Sequence, residues 1–326
     1  MKYVLISCIL IIILLCCAGC DERVPDEEPE EHPEEHPGEN GEQRHSEIFL
    51  EWETEDTIVE GAYCDAEIIG MDGGYRLYYC VEFDVMGVKD MKSAYSPDGV
   101  NWTIDEGTRK TETTFPDVVK LPDGSYRMYH QGADHSEPGT QPKMGTTSSV
   151  STDGLTWTEE EGLRITPGFN TPYDMEYASD TAVVPRPDGT YYMIYRGESG
   201  ERSHLIDDVK GTPLETWYLC AATSEDGLTW TPAGTTIDTS QPAFDYYVLG
   251  PELVYNGDVL LLYFFGIEGI YESVSLDHGE TWGDPRNVFP GNHSFAPSDP
   301  TVINMSGTWR MYYGLHETGI FSAIKI

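Results

Sequence analysis

Five times along this chain, a strand led by a carboxylate is followed by a Gly-containing turn and an aromatic strand, always in that order. The pairs are Asp65-Ala-Glu-Ile-Ile with Tyr75-Arg-Leu-Tyr-Tyr, Asp117-Val-Val with Tyr126-Arg-Met-Tyr-His, and Asp180-Thr-Ala-Val-Val with Tyr191-Tyr-Met-Ile-Tyr. Glu252-Leu-Val-Tyr with Leu260-Leu-Leu-Tyr-Phe and Asp299-Pro-Thr-Val-Ile with Trp309-Arg-Met-Tyr-Tyr complete the set. The leading carboxylates lie 52, 63, 72 and 47 residues apart. A unit recurring at that period cannot bury its apolar face alone and must stack on copies of itself, so 326 residues point to one array rather than two independent cores.

Each strand pair is followed by a third strand ending in a Ser-x-Asp turn and a Trp. These are Ser96-Pro-Asp-Gly-Val-Asn-Trp102, Ser151-Thr-Asp-Gly-Leu-Thr-Trp157, Ser224-Glu-Asp-Gly-Leu-Thr-Trp230 and Ser275-Leu-Asp-His-Gly-Glu-Thr-Trp282. Asp caps such a turn, Gly supplies positive φ, and the Trp is placed to pack between neighbouring units. The last of the four matches the Asp-box pattern of sialidases and other propellers, and the first three are one residue shorter. A fourth strand after each turn makes every unit a four-stranded antiparallel blade, so the chain reads as an all-β, five-bladed β-propeller. The blades are expected at about 63–107, 115–162, 178–234, 250–288 and 297–326. The fifth reaches Ile326 after three strands, and residues 48–54, which read like the segment around Trp157, are expected to complete it and leave no free sheet edge. Strand count then places the leading carboxylates on one face and the Ser-x-Asp turns, as structural devices, on the other.

The N-terminal region is of another kind. Residues 1–20 read as a secretory signal, with Lys2 ahead of an apolar run, Ile9 to Leu15, too short to span a bilayer comfortably. It ends in Cys17-Ala-Gly-Cys20, which resembles a lipobox, and Cys20 is then the expected lipidation site at the outer face of the cell membrane. Residues 21–47 hold 12 acids against Arg23 and Arg44, and such a self-repelling segment is expected to be a disordered stalk. Residues 48–326 carry 45 acids and 16 basic residues, a net charge of −29 that would repel phosphate backbones and argues against nucleic acid as a partner. A monomer is the expected state. Cys64 and Cys80 lie at the outer ends of two strands joined by the turn at Met71, where they could face each other, with or without a disulfide.

Five carboxylates, Asp65, Asp117, Asp180, Glu252 and Asp299, are expected to ring the mouth of a central channel, where crowding raises the pKa of at least one. Aligning the second strands on Leu77, Met128, Met193, Leu261 and Met311 sets His130 against Tyr79, Tyr195, Tyr263 and Tyr313 two residues on. Just beyond, blade three offers Arg196. His130, Arg196, Asp299, His316 and Tyr173 are therefore candidates for substrate binding, and Trp217, Tyr246 and Tyr247 are further candidate stacking aromatics. Long excursions at 132–147 and 197–217 are expected to wall the mouth. No phosphate loop, zinc helix, paired Cys-x-x-Cys or nucleophile elbow is present in the sequence, and no cofactor is expected; a central calcium ion has no residue pattern behind it.

From about residue 48 onward the pattern resembles the five-bladed furanosidase superfamily of glycoside hydrolase families 43, 32, 62 and 130. In family 43 the first three blades supply an Asp base, an Asp that tunes the acid, and a Glu acid. Asp65 resembles the first, and Phe115-Pro-Asp117-Val resembles the Ala-Pro-Asp-Val that carries the second. In blade three, where that family has Glu-Gly-Pro, this chain has Ser179-Asp180-Thr, with Glu176 four residues earlier. The resemblance implies Asp65 and Asp117 with Glu176 or Asp180 as the acid, or, one blade later, Asp117, Asp180 and Glu252. It thus implies acid/base hydrolysis of a glycosidic bond in an extracellular oligo- or polysaccharide. The alternative is a non-catalytic glycan- or protein-binding surface propeller, which the departure in blade three favours. The poverty of Arg argues against sialidases and phosphorylases.

Overall fold

The computed structural model describes residues 51–61, 63–82, 89–134, 142–206, 213–241, 244, 246–291, 297–315 and 318–326. The signal, Cys20, the stalk and His316 lie outside the described residues. Every described element is a strand. After β1 (Trp52–Glu60) come β2 (Tyr63–Met71), β3 (Gly74–Glu82), β4 (Lys89–Ser96) and β5 (Thr103–Ile104), then β6 (Asp117–Lys120), β7 (Tyr126–Asp134), β8 (Lys143–Ser151) and β9 (Thr158–Glu159). They are followed by β10 (Tyr177–Pro185), β11 (Tyr191–Ile206), β12 (Pro213–Ser224) and β13 (Trp230–Thr235), and by β14 (Val248–Asn256), β15 (Val259–Gly266), β16 (Gly269–Ser275) and β17 (Arg286–Pro290). The last are β18 (Ser298–Met305), β19 (Thr308–Leu315) and β20 (Gly319–Lys325).

The strands form antiparallel four-stranded sheets. β2 to β5 make one and β14 to β17 another. β6 to β9 and β10 to β13 repeat the pattern, and a single parallel pairing of Tyr177 with Met144 links the two into one larger sheet. β18, β19 and β20 take β1 as their outer strand, with Trp52 opposite Lys325 and Glu60 opposite Gly319. β1 is longer than the expected 48–54 because β20 stays in register with it, through two bulges, to Glu60.

Each innermost strand is entered through one residue in the left-handed region: Asp65 (φ 53°), Phe115 (53°), Asp180 (60°), Gly250 (55°) and Asp299 (48°). Four of these sit inside ladder irregularities, at Cys64/Glu67, Ser179/Thr181, Leu249/Glu252 and Ser298/Thr301. A bulge of this kind turns a side chain out of the ladder, and Asp tolerates the conformation where most residues do not.

The aromatic strands lock neighbouring units together. Tyr78 Oη donates to the carbonyl of Gly154 (2.7 Å), Tyr129 Oη to that of Gly227 (2.8 Å) and Tyr312 Oη to that of Gly99 (2.7 Å), each the turn glycine of another unit. The Trp after each turn meets the same tyrosine edge-on: Trp157 with Tyr78, Trp230 with Tyr129 and Trp102 with Tyr312, while Trp52 meets Tyr263 in the same way. Asp98, Asp153, Asp226 and Asp277 accept amide hydrogens of their own turns, which holds their carboxyls below the usual range. The Ser-x-Asp turns are therefore structural, as their repetition suggested.

Cys64 and Cys80 do stand opposite each other in the ladder, but as thiols; Cys64 Sγ contacts the carbonyl of Cys80 and Cys80 Sγ that of Thr113, both at 3.9 Å. The described parts of the excursions at 132–147 and 197–217 are mostly extensions of β7, β8, β11 and β12. Among the described residues no helix is long and apolar enough to cross a membrane. Replacing Trp230, which is 6% exposed, by Ala should cost about 3–5 kcal/mol in urea unfolding. Tyr129→Phe, which removes only the hydroxyl, should cost about 1 kcal/mol.

Candidate functional site

Strand pairing shows that the five leading carboxylates do not form one ring. Val118 pairs with Met128, Val183 with Met193, Val302 with Met311, Ile68 with Leu77 and Leu253 with Leu262. Counted back three residues, the equivalent positions are Asp65, Phe115, Asp180, Gly250 and Asp299, the left-handed set. Asp117 and Glu252 belong two residues further along, with Glu67, Ala182 and Thr301. The same pairing corrects the alignment of the second strands. Leu262 rather than Leu261 is the blade-four equivalent, so Phe264, not Tyr263, matches His130.

Both tiers line one narrow cavity of about 20 Å³, bounded also by Pro116, Pro251 and Pro300. That is room for a water molecule and not for a sugar ring, so a saccharide would have to sit over the mouth.

The inner tier is built into the backbone. Glu67 Oε1 accepts the amide of Val118 (3.0 Å), Asp117 accepts that of Val183, Glu252 Oε1 accepts that of Val302 (2.9 Å), and Thr301 Oγ1 accepts that of Ile68 (3.1 Å). Each side chain thus satisfies a buried donor on the next innermost strand, and Ala182 is the one member that cannot. Oxygens of Glu67, Asp117 and Glu252 lie within 4.8 Å of one another. At that separation two full charges repel by roughly 3.5 kcal/mol in an effective dielectric of about 20, before any cost of burial.

Thr301 Oγ1 donates towards both Glu67 Oε2 (3.1 Å) and Glu252 Oε1 (3.2 Å), so its single hydrogen is shared between two carboxyls. The three carboxyls also have the donor chemistry of a hard divalent cation, and Asp117 Oδ2 is buried without a hydrogen-bond partner.

The outer-tier carboxylates are as buried as the inner ones, Asp65 and Asp180 at 4% and Asp299 at 8% exposed. Asp65 Oδ2 accepts the Thr114 hydroxyl and lies 3.5 Å from the Phe115 amide, while Asp180 Oδ2 accepts the Gly250 amide at 3.1 Å. Asp299 lines the same cavity. Beside Asp180, Arg196 is buried with its guanidinium 4.3 Å from the Tyr177 ring centre, 5.2 Å from that of Trp217 and 5.5 Å from that of Phe115, and it pairs with Glu198 at 3.7 Å. Stacked on three rings, it is a fixed positive charge rather than a mobile clamp.

Other expected site residues fall elsewhere. Glu176 is exposed, pairs with Lys143 at 3.2 Å and does not line the cavity. His130 is 2% exposed, with Nδ1 at 3.0 Å from the Thr113 hydroxyl and Nε2 at 3.0 Å from that of Ser149, and burial drives its pKa down to about 3. It is a neutral, internally satisfied imidazole held inside its sheet because no charged partner repays its desolvation. Tyr173 packs edge-on against Tyr218 (5.1 Å) and Tyr218 edge-on against Tyr246 (5.7 Å), while Trp217 lies tilted against Tyr247 (4.9 Å), so these rings are engaged with one another. Glu67 and Thr301 had been passed over. The prolines could have exposed them, because Pro116, Pro251 and Pro300 align at one position and set Asp117, Glu252 and Thr301 in a single column with Glu67.

No protein-family model matches the chain, and neither does any curated protein sequence. Solved structures do. A thermostable family-43 glycoside hydrolase superposes with a TM-score of 0.63 at 14% identity, covering 83% of this chain and 91% of the other. A second structure described as a glycoside hydrolase gives 0.62 at 13%, covering 89% and 96%. A structure from the GH130 family of mannoside phosphorylases, a family described as containing glycoside hydrolases that target β-1,2 mannosidic linkages in Candida mannan, gives 0.57 at 14%, covering 81% and 84%. The fold is that of the propeller-type glycoside hydrolases.

Within this propeller-type fold the two tiers differ in proton affinity for identifiable reasons. Burial, then repulsion from Glu252 and Asp117, holds the Glu67 carboxyl well above its usual range, and burial followed by Glu252 does the same to Asp117. Burial pushes Glu252 up to about 8. Asp180 is pushed by burial to about 7, with Arg196 opposing the rise and Asp299 and Asp65 adding to it.

A carboxyl whose folded pKa is raised stays protonated in the folded state after the unfolded chain has released its proton. Its stabilising contribution is complete below about pH 4.5 and is lost as pH climbs towards 8. Urea unfolding in the presence of a chelator should therefore show stability falling between about pH 5 and 8, by roughly 1.4 kcal/mol per pH unit for each retained proton. Glu252→Gln, which keeps the side-chain carbonyl for the Val302 amide, should flatten that slope.

Proposed function

We propose that the protein is a glycoside hydrolase, held at the outer cell surface by a lipid on Cys20, that cleaves extracellular oligo- or polysaccharide over the mouth of a closed five-bladed propeller. In this reading Asp180 is the general acid, Asp65 is the carboxylate that activates water or attacks the sugar, and Asp117 tunes the pair from the inner tier. Asp299 and Arg196 fix substrate and charge at the rim. The observation that carries the reading is the convergence of Asp65, Asp180 and Asp299 from three sheets on one small cavity, with Asp180 holding a proton up to about pH 7.

Closure into five blades is supported by the pairing of β1 with β20 and by two contacts between the first and last repeats, the Ile68 amide on Thr301 and Trp102 on Tyr312.

The chemistry needs two carboxyl groups in different protonation states. A protonated Asp180 gives its proton to the leaving oxygen. Asp65, whose Oδ2 is oriented by the Thr114 hydroxyl, supplies the negative carboxylate. Arg196 stabilises the carboxylate that Asp180 becomes, as the lowering influence on its pKa indicates. The missing Glu-Gly-Pro of blade three is then answered by a shorter acid whose bulge brings it to the mouth.

The test is turnover of aryl glycosides and of plant and microbial polysaccharides. Asp180→Asn and Asp65→Asn should each lose about 10²-fold or more, while Glu176→Gln should stay within about twofold of wild type. Activity should fall above about pH 7 as Asp180 loses its proton, and that limb should be absent from the residual activity of Asp180→Asn. Glycan binding without turnover by the wild type would overturn the hydrolase reading in favour of a binding propeller.

A further inference from the structure

On the face opposite the mouth, three repeats carry the same ion pair. Arg76 Nε meets Asp105 at 3.0 Å, Arg127 Nε meets Glu160 at 2.8 Å with a second bond at 3.0 Å, and Arg310 forks onto Glu55 with two contacts of 2.8 Å. The Arg always pairs with the strand position one beyond the aligned valine or isoleucine: Ile69 with Arg76, Val119 with Arg127 and Ile303 with Arg310. Its acid always stands three residues after a Trp, namely Trp102, Trp157 or Trp52. Two of these arginines also reach a carbonyl in the next unit's turn, Arg76 to Asp153 and Arg127 to Asp226.

The third repeat loses both partners. Its Arg position is Tyr192, opposite Val184, and its acid position, three residues after Trp230, is Ala233. Where the acid side chain would lie there is an open cavity of about 100 Å³ between this unit and the turn before Trp282.

A cation returns by another route. Arg186, from the turn after β10, lays its guanidinium 4.7 Å over the Tyr192 ring and lines this cavity. Its one acidic contact, Glu280 at 3.1 Å, is a largely exposed side chain at the rim, while the Arg186 side chain is 12% exposed and its Nε is buried without a partner. In the first, second and fifth repeats the strand arginine's Nε is the atom that grips the carboxylate, while the fourth has Leu261 and Pro285 at the two positions. The cavity thus keeps a buried donor, Arg186 Nε, that the rim carboxylate of Glu280 on Nη2 leaves unmet.

We propose that this cavity binds a carboxylate group brought by a ligand, in the place that Asp105, Glu160 and Glu55 fill in the first, second and fifth repeats. The cavity, about 100 Å³ against about 20 Å³ for the one lined by the carboxylate tiers, is large enough for a carboxylate and the carbon that bears it. Thr223 and Thr235 line the cavity, and Trp282, whose indole donates to Tyr192 Oη at 3.2 Å, flanks it with an aromatic face. Arg suits a planar carboxylate because its donors match two oxygens at once. Two sources share this chemistry, a uronate unit of an acidic glycan and a free small carboxylate. The site stands apart from the mouth and does not depend on catalysis there.

The experiment is a titration of the full chain with sodium acetate, sodium glucuronate and glucose, following the Arg Nε–H signals by ¹H–¹⁵N NMR. The Arg186 signal is assigned by its loss in Arg186→Gln. Acetate and glucuronate should shift that signal with a Kd of the order of 1 mM, glucose should not, and tighter binding of glucuronate than of acetate would identify the sugar as the source. Ala233→Glu supplies the missing carboxylate from the chain itself, so it should shift the Arg186 signal without ligand and weaken acetate at least about tenfold. An Arg186 signal unmoved by about 50 mM acetate or glucuronate, an equal response to glucose, or unchanged acetate binding by Ala233→Glu would each overturn the proposal.

Discussion

The structure depends on side chains that reach from one innermost strand to the backbone of the next. Strands crowded around a common axis present amide hydrogens that neither their own sheet nor water can satisfy, and a buried unpaired amide costs about as much as a lost hydrogen bond. Glu67, Asp117, Glu252 and Thr301 supply the acceptors, and the mouth aspartates Asp65 and Asp180 repeat the device two residues earlier, towards Phe115 and Gly250. Meeting a backbone requirement with carboxylates brings several acids into one small volume. Their mutual repulsion and burial then raise proton affinities near the axis, so the demands of assembly generate the chemical potential of the site.

Assembly and chemistry are separated by position along each innermost strand, two residues apart. The inner tier is committed to backbone donors and to Thr301 at all but Asp117 Oδ2, and its protons belong to stability. In the outer tier Asp180 has a fixed cation beside it and Asp65 is oriented by a hydroxyl. His130 illustrates the same rule from the other side. Placed within its sheet and satisfied at both ring nitrogens, it became a structural neutral group despite standing out in the repeat.

The repeat, the antiparallel four-strand grouping and the structural role of the Ser-x-Asp turns were legible in the sequence because each rests on local chemistry: turn residues, alternation and an aromatic at fixed spacing. The carboxylate tiers were not, because aligning on Asp or Glu ignores the left-handed residue that opens each inner strand. Phe115 and Gly250 occupy that position without a carboxyl and hid the offset of Asp117 and Glu252. The deleted ion pair of the third repeat was equally hidden, since Arg186 re-enters from a turn that no strand pattern marks. Glu176 looked attractive as the one Glu near the departure in blade three, yet it lies outside the bulge that aims Asp180 and is turned to Lys143 instead.

The central claim is that a mouth aspartate stores a proton at neutral pH because of where the fold places it. Infrared difference spectroscopy of the carboxylic C=O band tests it directly, comparing wild type with Asp180→Asn across a pH titration. The account predicts a protonated carboxyl that disappears near pH 7 in wild type and is missing from the variant, beside a second band that persists towards pH 8. A spectrum with no protonated carboxyl above about pH 5 would contradict it.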